Sequence, residues 1–164
     1  MAVTVQGLGS ILGHTNGVTR EYAITSGSVV YKGEFVYLDA NGRVTSDSIA
    51  GKALLGTVTA VDSTNLDRNY AASATGNAGG TIKALVHIDD SERYLCKNDQ
   101  DTNTFAAEDV GEYFDLIGSP GSQLVDTSSA STTGQLLCVE YNPGIRGTDA
   151  SYGIFKIAET QLDV

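Results

Sequence analysis

The side chains able to do chemistry are few, and they gather most densely at His87-Ile88-Asp89-Asp90. At the end of an alternating strand, His87 and Asp89 share one face by the two-residue period, which is the start of a transition-metal ligand set. No third protein ligand is obvious from the spacing. The stretch therefore reads as a strand histidine followed by a solvated acidic turn, DDSER, and no metal or other cofactor is expected. The segment NDQDTN offers Asp99, Asp101 and Asn103 at the alternation that opens a calcium loop. Its sixth position is Thr104 and its twelfth is Val110, where such a loop needs a glycine and a bidentate acid, so a hairpin turn is the better reading. Asp39, Asn41 and Gly42 resemble an Asx-type turn more than a ligand set.

Nucleophilic hydrolysis needs a base beside a Ser, Cys or Thr, and the two histidines are His14, in an irregular N-terminal stretch, and His87. Neither GLGS nor GSPGS reproduces the GxSxG spacing of a nucleophile elbow. No GxxxxGK[ST] phosphate loop is present, and the glycines of QGLGS open no strand-helix unit. Twenty acids allow chance carboxylate pairs, but no spacing selects one. No enzymatic activity is expected. Cys96 and Cys138 lack a CxxC partner and fall in strands, so they read as buried small hydrophobes, with a disulfide between them as the less favoured alternative.

Charge divides the chain. Residues 1–80 carry five Lys/Arg and six Asp/Glu, and residues 81–164 carry five and fourteen. No basic stripe exists to neutralise phosphates, which argues against nucleic-acid binding. Residues 1–17 hold no basic residue and no long apolar run, so neither a signal peptide nor a membrane anchor is expected there, and synthesis in the cytoplasm is.

The elements that must position these groups are short. With 19 glycines and two prolines, the chain suits brief strands joined by many turns. VVYKGEFVYLDANGRV, residues 29–44, spells a β-hairpin in which Asn41-Gly42 forms a type I′ turn. REYAI, SVVY, EFVYLD, GRVTS and KALLGTVTAV are strand candidates, with Gly56 a bulge or close-approach point. TIKALVHID alternates, placing Ile82, Ala84, Val86 and Ile88 on one face and Lys83, Leu85 and His87 on the other. RYLCK, EYFDLIG, GQLLCVEY and YGIFKIAE follow, separated by NDQDTN, SPGS, DTSSASTTG and NPGIRGTDAS. One short helix is expected near residues 106–110.

The fold class is all-β, with short antiparallel strands forming one or two small barrels or sandwiches and an extended N-terminal arm. The divisions are an arm over 1–19, a first β-unit over 20–70, a small-residue linker over 71–80, and a second, acidic β-unit over 81–164; one continuous domain is the alternative. The arm, with Val3, Val5, Leu8, Ile11 and Leu12 scattered among four glycines, either orders by docking onto a partner or closes its own sheet as a first strand.

Two stretches carry a resemblance. AITSGSVVYKGEFVYLDANGRVTSDSIAGKALLGTVTAV resembles the opening of the capsid decoration, or cement, proteins of tailed bacteriophages. The run from DDSERYLCK to YGIFKIAE resembles the C-terminal half of decoration-like proteins of marine phages. The resemblance covers roughly residues 20–164 and does not include the arm. It implies a β-barrel or β-tulip-like domain, often trimeric, on the outer surface of an expanded icosahedral head, bridging subunits of the major capsid protein. The surfaces expected to meet capsid or sister subunits are Val3, Val5, Leu8, Ile11 and Leu12 together with Tyr31 and Tyr37. The alternative is a head-fibre or surface-binding module in which Tyr31 and Tyr37 present their rings to a glycan or a host-cell protein.

Overall fold

The computed structural model of the protein describes residues 18–62, 73–89, 92–99, 104–141 and 152–161. They form an all-β molecule of twelve short strands. In chain order these are β1 (Val18–Ala23), β2 (Val29–Tyr31), β3 (Phe35–Leu38), β4 (Val44–Thr45), β5 (Gly56–Val61) and β6 (Ser73–Thr75). They continue with β7 (Lys83–Ile88), β8 (Tyr94–Lys97), β9 (Tyr113–Ile117), β10 (Leu124–Ser131), β11 (Leu136–Glu140) and β12 (Tyr152–Ile157). One five-stranded sheet has the order β1-β7-β5-β3-β4, a second has β10-β9-β11-β12-β8, and β2 and β6 make a two-stranded ribbon. The expected short helix is a single 3-10 turn over Ala107–Asp109, where the Asp109 carboxylate accepts the Ala106 N–H at 2.7 Å.

The two-residue period assigns side chains to two apolar clusters. On β3, Phe35 enters one cluster and its neighbour Val36 the other; Leu54 and Leu55 divide in the same way. The larger cluster combines Phe35, Ile49 and Leu54 with Tyr94, Phe105, Phe114 and Phe155 from the second half of the chain. Phe35 meets Tyr94 edge-on at 4.9 Å between ring centroids, one of the favoured aromatic geometries. On β7, Ala84 and Val86 are buried while Leu85 is exposed, as the alternation predicts.

Three expectations need correction. The stretch 29–44 is not one hairpin: β2 leaves to pair with β6, and only β3 and β4 form a hairpin, through Tyr37↔Thr45 and Leu38↔Val44. Its turn is not type I′, because Gly42 has φ of +71° while Asn41 stays outside the positive region. The Gly42 N–H donates to the Asp39 carbonyl at 3.0 Å and the Asp39 N–H to the Arg43 carbonyl at 2.8 Å, the pattern of a three-residue loop closed by a glycine bulge. The Asx-type reading of Asp39 holds, since its Oδ1 accepts the Asn41 and Arg43 N–H groups.

The segment 71–80, expected as a linker, contains β6 with Ala74 buried, and β7 beyond it pairs with both β1 and β5. The boundary drawn there therefore falls inside the first sheet. Finally, DTSSASTTG is not only a separator, because most of it belongs to β10, the edge strand paired with β9.

Glutamine side chains join the sheets. The Gln123 amide accepts the Phe35 N–H at 2.9 Å and donates to the Phe35 carbonyl at 2.8 Å, copying a strand neighbour across 88 residues. Gln161 does the same to Leu38 at 2.5 and 3.2 Å. Gln135 donates to the Ile49 and Lys52 carbonyls and accepts the Leu116 N–H. Gln123 and Gln135 are fully buried, so these bonds satisfy backbone groups that water cannot reach.

Candidate functional site

The densest chemistry in the described residues lies where the two five-stranded sheets meet. β7 carries His87 to its end, Asp89 follows one residue past the strand, and Glu92 sits two residues before β8 opens the other sheet. One ligand atom from each of His87, Asp89 and Glu92 lies within 4.8 Å of the others. His87 Nε2 stands 3.6 Å from Glu92 Oε2, too long for a hydrogen bond, and their side chains are 18% and 3% exposed. The expectation of no metal rested on a missing third ligand, and Glu92 is the third candidate by position. Asp90 lies outside the described residues. The signal that could have found Glu92 is the third acid of DDSER, three positions beyond Asp89.

Two neighbours shape this corner. The Tyr94 side chain is buried, its phenol raised well above its ordinary range by desolvation, with the charges of Glu92 and Asp89 adding and a Thr57 hydrogen bond opposing. Its hydroxyl makes no bond of normal geometry among the described residues. Gly56 lets β5 approach β7 closely: a Cβ there would stand 2.1 Å from the His87 carbonyl oxygen. Thr57 pairs with His87 across the same two strands.

A second buried acid does different work. Glu34 is 1% exposed and receives the Tyr31 N–H at 2.9 Å, the Ser46 hydroxyl at 3.1 Å and the Gly121 N–H, linking the β2–β3 turn to the β9–β10 loop. Desolvation raises its carboxyl above the ordinary 4.5, and these three hydrogen bonds only partly offset that. Both oxygens are committed to protein donors, which marks a structural group.

The residues expected to meet partners are separated. Val3, Val5, Leu8, Ile11 and Leu12 lie outside the described residues, as does His14. Tyr31 is half-buried against Gly121, where a Cβ would stand 3.1 Å from the ring. Tyr37 is half-buried, donates its hydroxyl to the Asp47 carbonyl at 2.8 Å and has the Lys52 ammonium 5.9 Å from its ring centroid. Each ring is thus engaged within the chain, and no shared aromatic face forms from the pair. Asp99 accepts the Thr127 hydroxyl at 3.0 Å, tying the end of β8 to β10; residues 100–103 of the expected turn lie outside the described set. Cys96 and Cys138 are buried free thiols. Desolvation pushes Cys138 up to about 11 and Cys96 higher still.

No protein-family model, no curated protein and no solved structure matches this chain. Among the described residues, no helix is long and apolar enough to cross a membrane.

Proposed function

We propose that this chain is a structural virion protein of the capsid-decoration type, binding the outer surface of an expanded icosahedral head and bridging major capsid protein subunits, with a trimer as its favoured assembly. The observation that carries the reading is the use of buried polar side chains. The buried Gln123, Gln135 and Glu34, with the half-buried Gln161, all bond backbone groups distant in sequence, which is how a scaffold is made rigid. Support also comes from β1, an edge strand of the first sheet that begins within the last two residues of the arm and leaves Val18 half exposed. An edge presents unpaired backbone groups to whatever docks beside it.

A ligand that prefers the expanded lattice stabilises it by mass action, and many weak copies act together. The near-neutral first half with its arm faces capsid or sister subunits, and the acidic half faces solvent. Mixing the full chain with expanded empty capsids and sedimenting them tests this directly. Co-sedimentation lost on deleting residues 1–17 is the expected result. A chain that never co-sediments, or one whose binding survives that deletion but is abolished by charge reversal in residues 81–164, overturns it. The glycan or host-surface alternative gains nothing from Tyr31 and Tyr37, whose rings are occupied within the chain.

A further inference from the structure

We infer that His87, Asp89 and Glu92 form a binding site for one divalent transition-metal ion of the zinc class, which clips the end of β7 to the start of β8 and so joins the two sheets. Three observations converge on it. The first is spacing. Ligands about 2.0–2.1 Å from a tetrahedral ion lie about 3.3–3.4 Å from one another. His87 Nε2 and Glu92 Oε2 stand 3.6 Å apart, longer than a hydrogen bond and close to that ligand separation.

The second observation is burial. The Glu92 side chain is 97% removed from water, yet its carboxylate receives no hydrogen bond among the described residues, and His87 is its one ionic neighbour there. Burying a carboxylate is costly unless a cation or donors compensate it, and a bound divalent ion does so for Glu92. The buried Tyr94 hydroxyl, two positions along the chain from Glu92, adds a polar group suited to bond a metal-held carboxylate.

The third observation is donor chemistry. An imidazole nitrogen with two carboxylate oxygens favours zinc and its neighbours over calcium or magnesium, which prefer all-oxygen shells. Three protein ligands leave a fourth position for water. Asp89 and Glu92 are three positions apart in sequence, so the ion closes a short stretch of chain between strands of different sheets. The site is independent of any capsid role.

The test uses the full chain, stripped with a chelator and titrated with Zn²⁺ by calorimetry. One ion per chain is expected, with affinity falling at least about tenfold in His87→Ala and in Glu92→Gln, the lower end of the loss seen even for groups one shell further out. His14→Ala should bind as wild type, and excess Ca²⁺ should not compete. Because Glu92→Gln could fail to fold, two readouts on folded protein stand beside it. Co²⁺ should give the intense visible bands of a tetrahedral site in wild type and lose them in His87→Ala, and Zn²⁺ should protect His87 of the wild type from acylation by diethyl pyrocarbonate. Absent stoichiometric binding, equal affinity in wild type and His87→Ala, displacement by Ca²⁺, or acylation of His87 unaffected by Zn²⁺ each overturns the site.

Discussion

Glu34 and Asp39 lie five residues apart and end on opposite sides of their ordinary values. For Glu34, desolvation outweighs the bonds from Gly121, Tyr31 and Ser46, and the carboxyl ends above its ordinary value. For Asp39, desolvation alone would raise it, but the Arg43 and Asn41 N–H groups and the Thr25 hydroxyl together hold it below 3.8. The signs follow by linkage. Glu34 contributes stability that is fully present below its unfolded value and lost as pH rises through its folded one; Asp39 contributes stability present above its unfolded value and lost as pH falls. As pH rises from below 4.5, the urea unfolding midpoint of wild type should fall relative to that of Glu34→Gln, because the variant cannot ionise. Parallel profiles would show that Glu34 titrates alike in the folded and unfolded chain. The roles of these acids could not be seen in sequence, since Glu34 takes its meaning from Gly121, 87 residues away.

At the scale of elements, what was legible depended on whether a strand keeps one face dry. β7 shows a clean alternation because Ala84 and Val86 pack into the smaller cluster while Leu85 and Lys83 face outward. β10 has large apolar residues only at its beginning, and from Asp126 onward its side chains are Asp, Thr, Ser and one Ala, which serve an edge strand instead of a core, so its sequence resembled a loop. β6, Ser73–Thr75, was hidden for the same reason: three small residues cannot announce a strand whose partner, β2, lies more than forty positions earlier. Gly56 was legible as a close-approach point, and the structure supplies its neighbour, the His87 carbonyl. Gly56→Ala should therefore push β5 from β7 and cost about 1–3 kcal/mol as an overpacking change. Chemical denaturation measures that loss, and an unchanged midpoint would mean the backbones relax freely there.

For the molecule as a whole, the larger apolar cluster and the glutamine bonds tie both halves of the chain together. Replacing Gln123 with Leu keeps approximate shape but strips partners from the Phe35 N–H and carbonyl, at a cost of about 1–3 kcal/mol for each orphaned group. Wild-type unfolding should be a single transition by fluorescence and by circular dichroism, and Gln123→Leu should lower its midpoint. Two resolved transitions in the wild type would contradict the clamp. The sequence by itself determined the β class, most strand positions, the Asx-type turn at Asp39 and the acidity of the second half, because these depend on period, propensity and composition, which are local. Only the tertiary structure decided that β7 belongs to the first sheet, that Gln123 and Gln161 act as strand neighbours, and that Glu92 joins His87 and Asp89. Those outcomes depend on which distant backbones pack together, and a linear spacing carries no record of where a chain reversal returns a side chain.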